Sequence, residues 1–267
     1  MKLNREQQEE YREKGYVLLP RLFGGAEVSV LEAAMIEVLD RDGPEVAREA
    51  DGAVHIVYGA HLFDERLRVL SRHPRIVEPC QQLTGSDVFV HQSRINAKQA
   101  KGAMMDWHQD FGDYHRADGV PEPRGIVVAV FIDEITACNA PLMCVPGSQR
   151  EGLIVGAINP EAEDHEQAAR YRYDISHERM VDLVERYGVE AMTGPVGSVL
   201  FMDGNVVHGS SVNITPLRRA ILYINLTTTD NSGGTFTRPE YYAARDFSPL
   251  QPLDDDCLME WRSYAGG

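Results

Sequence analysis

The sequence predicts a mostly β protein with flanking helices, built on a double-sheet jelly roll. Short apolar runs at 126–132, 142–145, 198–202 and 220–226 are bounded by Gly, Pro or Asp and spaced like the strands of a sandwich or barrel. The stretch 87–96, DVFVHQSRIN, adds a strand with β-branched and alternating residues. Two of the four helices that the pattern allows lie before residue 40, ahead of this β-rich middle.

Taken in order, Asn4 with Gln7 has the capping-box pattern, and the polar run to Lys14 is closed by Gly15. This predicts one short helix followed by a strand at 16–19. Further helices are expected over 26–39 and 74–82. The highly charged stretch 159–187 interrupts the strand series and reads as an insertion that acts as a lid, with a helix over 176–187. No repeat, heptad or Pro/Gly/Ser linker divides the chain, so 1–267 is expected to form a single domain.

Composition narrows the function classes. The 26 basic and 41 acidic residues give a net charge of −15, which argues against nucleic acid as a partner. With 43% hydrophobic and 25% charged residues, the chain can bury a full globular core. Cys80, Cys138, Cys144 and Cys257 follow no C-x-x-C pattern, so neither a disulfide framework nor a zinc knuckle is indicated and a reducing cytosol fits. The start is too polar for a signal peptide, and no apolar run approaches the roughly 18 residues of a membrane span. A cytoplasmic protein, monomeric or homodimeric, with a small-molecule substrate and no membrane partner is expected.

Chemistry enters with WHQDF, which sets His108 and Asp110 two residues apart. On a strand both side chains project to one face and can meet one ion. Alone, this pair reads more simply as a polar strand end with a surface histidine. His208 follows a strand and a tight Asp203-Gly204 turn in GSVLFMDGNVVHGSS; on its own it could be a satisfied core histidine. Arg219, at the head of AILYINL, carries a cation into the sandwich, although one member of the Arg218-Arg219 pair should be solvated. The arginine fork suits a carboxylate. Jointly, two histidines and a carboxylate make the facial triad suited to Fe(II) with open positions, and a nearby arginine suits 2-oxoglutarate.

With these residues in place, the chain resembles the phytanoyl-CoA dioxygenase-like oxygenases, and within them the ectoine hydroxylase and free aliphatic amino acid hydroxylase branch. The resemblance spans nearly the whole chain and rests on GYVLLP, HQSRINAK, WHQDF, DGVPEPRGIVVAVFIDE, NAPLMCVPGSQ, HGSSVNITPLRR and RPEYYAARDFSPL. It implies a double-stranded β-helix (jelly roll, cupin-like) fold that uses Fe(II), 2-oxoglutarate and O2 to hydroxylate an unactivated C–H bond. By the same resemblance, His108, Asp110 and His208 ligate iron, Arg219 meets the distal carboxylate of 2-oxoglutarate with Ser210, and Asn96 contacts the cosubstrate. Gln92 and Arg94 match positions near substrate or structural contacts, although alternation on a half-exposed strand would also place polar residues there. Tyr114 stands at a substrate-side position where ectoine hydroxylases and a related leucine hydroxylase carry Trp. Val127 replaces a polar residue that those relatives present toward the cosubstrate. Both departures put ectoine itself in doubt. Family halogenases lack the carboxylate that Asp110 supplies here, so hydroxylation is expected. The implied substrate is a free amino acid or amino-acid-like zwitterion in a biosynthetic pathway.

Other readings lack a partner residue. VPGSQ is not a nucleophile elbow, so Ser148 is structural, and GPVG at 194–197 is a turn. The acidic run 254–256 reads as a solvated terminal face, and His91 and His115 lack the spacing to replace a triad member, with His91 left near the pocket. Competing functions are an oxygenase acting on an acyl-CoA or another natural-product scaffold, a non-oxygenase cupin-like metal-binding module, and a zinc hydrolase. Arg219 discriminates, because a non-oxygenase has no need of a buried carboxylate receptor beside its metal.

Overall fold

A computed structural model describes residues 1–49, 51–154 and 175–264. Helix α1 (Arg5–Lys14) starts on the Asn4/Gln7 capping box and ends at Gly15, whose φ of 84° is left-handed. Strand β1 (Tyr16–Leu19) leads to α2 (Gly25–Leu39). A hairpin of β2 (Val46–Arg48) and β3 (Val54–Tyr58) follows, then three helices, α3 (Ala60–Phe63), α4 (Glu65–Ser71) and α5 (Pro74–Thr84). The long strand β4 (Val88–Lys98), short β5 (Met105–His108) and helix α6 (Asp110–Asp118) precede β6 (Gly125–Phe131) and β7 (Leu142–Cys144). Helix α7 (His177–Tyr187), β8 (Glu190–Met192), β9 (Val199–Asp203), β10 (His208–Ser210) and β11 (Arg219–Thr228) complete the series. The lid expected at 159–187 falls largely on 155–174, outside the described residues; within it only helix α7, close to the expected 176–187, is described.

The strands form a seven-stranded sheet in the order β1-β9-β6-β11-β4-β3-β2 and a four-stranded sheet in the order β5-β10-β7-β8, with every named pairing antiparallel. Alternation on β11 divides two cores. Ala220, Leu222, Ile224 and Leu226 pack with the helices, whereas Ile221 and Tyr223 face inward with Val127, Ala129 and Phe131 of β6 and Leu142 and Cys144 of the small sheet. The jelly roll expected from the sequence is therefore present, with two antiparallel sheets enclosing an inner core and helices covering the outer face of the larger one.

The structure corrects three expectations. The hairpin at 46–58 and the helices at 60–71 were not anticipated, because their runs are too short for a 2.0 or 3.6 period to stand out. Strand β4 is not half-exposed: Gln92, Asn96 and Lys98 are all buried, so its polar alternation faces the barrel interior rather than water. His108 and Asp110 do not share a strand. Strand β5 stops at His108, and Asp110 is the first residue of α6. Gln109 enforces this break, since its amide donates to Gly152 O at 2.8 Å and Asn205 O at 2.7 Å while its Oε1 accepts from Ile154 N at 2.8 Å.

Candidate functional site

Despite that break, the three expected ligands converge. His208 opens β10 and lies directly opposite His108 across the β10–β5 pairing, with imidazole centroids 4.3 Å apart. Asp110 Oδ1 lies 3.5 Å from His108 Nε2 and 3.9 Å from His208 Nε2. One ligand atom from each residue lies within 4.8 Å of the others, the one such grouping of three among the described residues. Each imidazole is oriented through its other nitrogen: Nδ1 of His108 lies 2.6 Å from Asp106 O and Nδ1 of His208 lies 2.9 Å from Val206 O. A backbone carbonyl at Nδ1 fixes the proton there and leaves the Nε2 lone pair for a metal.

The charge state suits a cation. Burial works to raise the Asp110 carboxyl, but Arg94, with the two imidazoles, holds it well below the usual range. Its place in the first turn of α6 adds the favourable end of the helix dipole. Burial, with His108 alongside, lowers His208 to about 4, so its nitrogen is available as a ligand at neutral pH. Burial works to lower His108, but its contact with the Asp110 carboxylate raises it, so a bound metal would displace the Nε2 proton there. Two imidazole nitrogens and one carboxylate oxygen then form the donor set suited to Fe(II) with open positions, so the residues present fit that ion.

Deeper in the barrel, Arg219 and Lys98 lie directly opposite each other on β11 and β4. Both are 1% exposed, and neither has a carboxylate at ion-pair distance among the described residues. Arg219 donates through Nε to Ala140 O at 3.0 Å, through Nη1 to Asn96 Oδ1 at 3.3 Å and through Nη2 to Ser210 Oγ at 3.5 Å. Ala140 has a left-handed φ of 60°, unusual for a residue with a side chain. Lys98 Nζ donates to Ser210 Oγ and to Ser211 O, each at 2.8 Å. Like charges opposite one another in a buried ladder destabilise it. Burial, reinforced by Arg219, accordingly lowers Lys98 to about 7. Such a pair is suited to an anionic ligand. Lys98 stands in HQSRINAK, but its burial opposite Arg219 was missed, because as the last residue of a polar run it reads as a strand-end lysine. Arg218 is the satisfied member of its pair, bonded to Asp133 and Glu32.

The expected substrate-side residues lie at the other end of the same strands. Arg94 Nη2 donates to Asp110 Oδ2 at 3.2 Å, Nη1 donates to Gln92 Oε1 at 2.6 Å, and the guanidinium lies 4.5 Å from the Tyr223 ring. Gln92 donates to Tyr242 O at 2.8 Å. Tyr114 is buried on α6 and its hydroxyl bonds Asn225. A narrow crevice with a cavity volume of about 10 Å³ is lined by Tyr114, Phe111, Val127, His91 and Asn225 among others. His91 Nδ1 and Asn225 Oδ1 are buried without a partner among the described residues. The remaining expectations divide. Ser148 is structural, donating to Val145 O and accepting from Val207 N. His115 bonds Val120 O, away from the triad. The acidic run is a solvated face, with Asp254, Asp255 and Asp256 all exposed and Asp255 paired with Arg75 at 2.7 Å.

Residues 11–221 match the family model described as Phytanoyl-CoA dioxygenase (PhyH). The chain is 33% identical over 255 residues to an L-proline trans-4-hydroxylase of Streptomyces griseoviridis, covering 93% of this chain and 95% of that one. It is 34% identical over 272 residues to an ectoine dioxygenase of Bordetella bronchiseptica, covering 97% and 88%. Among solved structures it is similar to EctD from S. alaskensis with 2-oxoglutarate and 5-hydroxyectoine, at a TM-score of 0.81 and 27% identity over 94% of this chain and 87% of that one. The same protein with bound Fe superposes equally well, at a TM-score of 0.81.

Proposed function

The chain belongs to the phytanoyl-CoA dioxygenase family, and on that premise we propose that it hydroxylates an aliphatic carbon of a free amino acid or amino-acid-like zwitterion with Fe(II), 2-oxoglutarate and O2. The observation that carries this reading is the buried Arg219–Lys98 pair meeting on Ser210, a carboxylate receptor without a carboxylate. Relatives that hydroxylate L-proline and ectoine support the substrate class. So do the two unpartnered acceptors of the crevice, His91 Nδ1 and Asn225 Oδ1, which suit N–H donors.

In this reading His108, Asp110 and His208 hold iron, and Arg219, Lys98, Ser210 and Asn96 hold 2-oxoglutarate. The chemistry supplied by the bound metal is activation of O2 against 2-oxoglutarate, which yields CO2, places one oxygen atom in succinate and the other in the hydroxylated product. Arg94 keeps the Asp110 carboxylate ionised and aimed at the histidines. The inner core of Val127, Ala129, Phe131 and Ile221 excludes water around the polar stripe, which strengthens each of its hydrogen bonds. Tyr114, Gln92 and Asn225 form the wall toward the substrate. Residues 1–267 act as one catalytic domain.

Succinate release from the iron-loaded protein, measured across free amino acids, ectoine and an acyl-CoA, tests the reading. Strong stimulation by an amino acid or by ectoine is expected. Stimulation by the acyl-CoA alone, or by none of them, overturns the substrate class. The net charge of −15 and the absence among the described residues of any helix long and apolar enough to cross a membrane fit a cytoplasmic enzyme. Light scattering at micromolar concentration checks the expected monomer or homodimer.

A further inference from the structure

A second buried charged cluster lies beside the crevice and takes no part in holding iron or 2-oxoglutarate. Asp118, fully buried at the end of α6, accepts from His91 Nε2 at 2.8 Å and from Arg238 Nε at 3.0 Å. His91 occupies an irregularity in the sheet: Gln92 pairs with Asn225 and Val90 with Leu226, so His91 has no opposite residue. Strand parity switches there. Val88 and Val90 face the helices on one side of the bulge, Ile95 and Ala97 on the other. A bulge re-aims one side chain, and here it turns His91 inward against Tyr114, with ring centroids 4.5 Å apart.

Tyr114 is held from three more directions. The Arg238 guanidinium lies 5.7 Å from its ring, the Asn225 amide bonds its hydroxyl, and Ala117, one turn along α6, accepts from Thr237 N at 2.7 Å. The segment carrying Arg238 is in turn anchored to β4, because Ala244 N donates to His91 O at 2.8 Å and Gln92 donates to Tyr242 O. Helix α6 thus carries Asp110 at its first position and Asp118 at its last. A buried His–Asp–Arg cluster stabilises a fold no better than apolar groups of equal volume. What it adds is orientation: with Nε2–H committed to the carboxylate, His91 has one tautomer and one ring plane.

We propose that Asp118 and Arg238 are positioning residues that act through His91 to fix Tyr114, and with it the substrate-facing wall of the crevice. The inference rests on the reading of that wall given above. It makes the cluster a determinant of substrate alignment that leaves cosubstrate binding untouched, since Lys98 and Arg219 lie at the other end of the strands.

The test uses the iron-loaded enzyme with the amino acid that stimulates succinate release most. In Asp118→Asn, KM for that substrate is expected to rise about tenfold, as for one lost charge-assisted hydrogen bond. Hydroxylated product per succinate should fall to about half or less, while KM for 2-oxoglutarate stays within about twofold of wild type. Equal changes in both KM values, or a loss of rate matching only the loss of folded protein, overturn the proposal. A second arm needs no substrate. With 15N-histidine and 13C-tyrosine labels, wild type should show His91 as the Nε2–H tautomer, and Asp118→Asn should shift the Tyr114 ring signals. Unshifted Tyr114 signals in folded Asp118→Asn overturn the proposal. If no amino acid stimulates the wild type, the substrate class fails and the labelled arm alone decides. Should Asp118→Asn fail to fold, His91→Phe carries the same two readouts.

Discussion

The two ends of the β4–β11 strand pair handle charge in opposite ways. At one end Arg219 and Lys98 face each other across the ladder with hydroxyl, amide and carbonyl partners and no carboxylate at ion-pair distance among the described residues. At the other end Arg94 is matched by Asp110 and Arg238 by Asp118. A receptor with surplus charge selects an anion by electrostatics. A neutralised wall selects by shape and by hydrogen bonds, with two buried acceptors left for a ligand. The first end is therefore suited to a cosubstrate shared across a family, and the second to a substrate that differs between its members.

Substitutions that cross this division test it. The largest expected effect is at Arg219: Arg219→Ala leaves a buried carboxylate without its main partner, worth roughly 3–5 kcal/mol, so KM for 2-oxoglutarate should rise at least about a hundredfold. Steady-state kinetics with varied 2-oxoglutarate check this, and iron affinity should be unchanged. Arg94→Met removes the group that keeps Asp110 ionised, and iron affinity, read by equilibrium dialysis, should fall about 10- to 100-fold with little change in 2-oxoglutarate affinity.

Lys98 gives the comparison a pH signature. Its value is lowered to about 7, so it is charged below that pH and neutral above it. A bound carboxylate stabilises the charged form, so binding takes up a proton, and 2-oxoglutarate affinity should weaken by up to about tenfold per pH unit above 7. Lys98→Met should flatten that slope and raise KM about tenfold at pH 6.5. The smallest effect is at the other end. Tyr114→Phe loses the hydroxyl bond to Asn225, worth about 1 kcal/mol, so substrate KM should rise about fivefold with no change for 2-oxoglutarate.

The same contrast explains what was legible in the sequence. The candidate triad was readable because few residue types make a metal-ligand set, and Arg219 because a cation at the head of an apolar strand needs an explanation. Lys98 was not readable as its partner. The pairing depends on β4 and β11 register, which no local pattern encodes, and a lysine ending a polar run has an ordinary surface explanation. Helix α6 was missed because WHQDFGDYHRADG shows no clear period and carries Gly112 near its start; the sequence does contain Gln109, but not the three backbone groups that its side chain gathers. The polar alternation of Gln92, Arg94 and Asn96 was visible, yet only the topology, with β3 on one side of β4 and β11 on the other and the small sheet in front, makes that face interior. The parity switch at His91 lay beyond any strict two-residue period.

The most direct measurement is an anaerobic absorbance titration of the metal-free protein with Fe(II) and then 2-oxoglutarate, run on wild type, His208→Ala and Arg219→Ala. A charge-transfer band that saturates at one iron per chain is expected in wild type, no band in His208→Ala, and in Arg219→Ala a band that appears only at much higher 2-oxoglutarate. A band of unchanged strength and midpoint in His208→Ala, or none in wild type with both ligands in excess, contradicts that expectation.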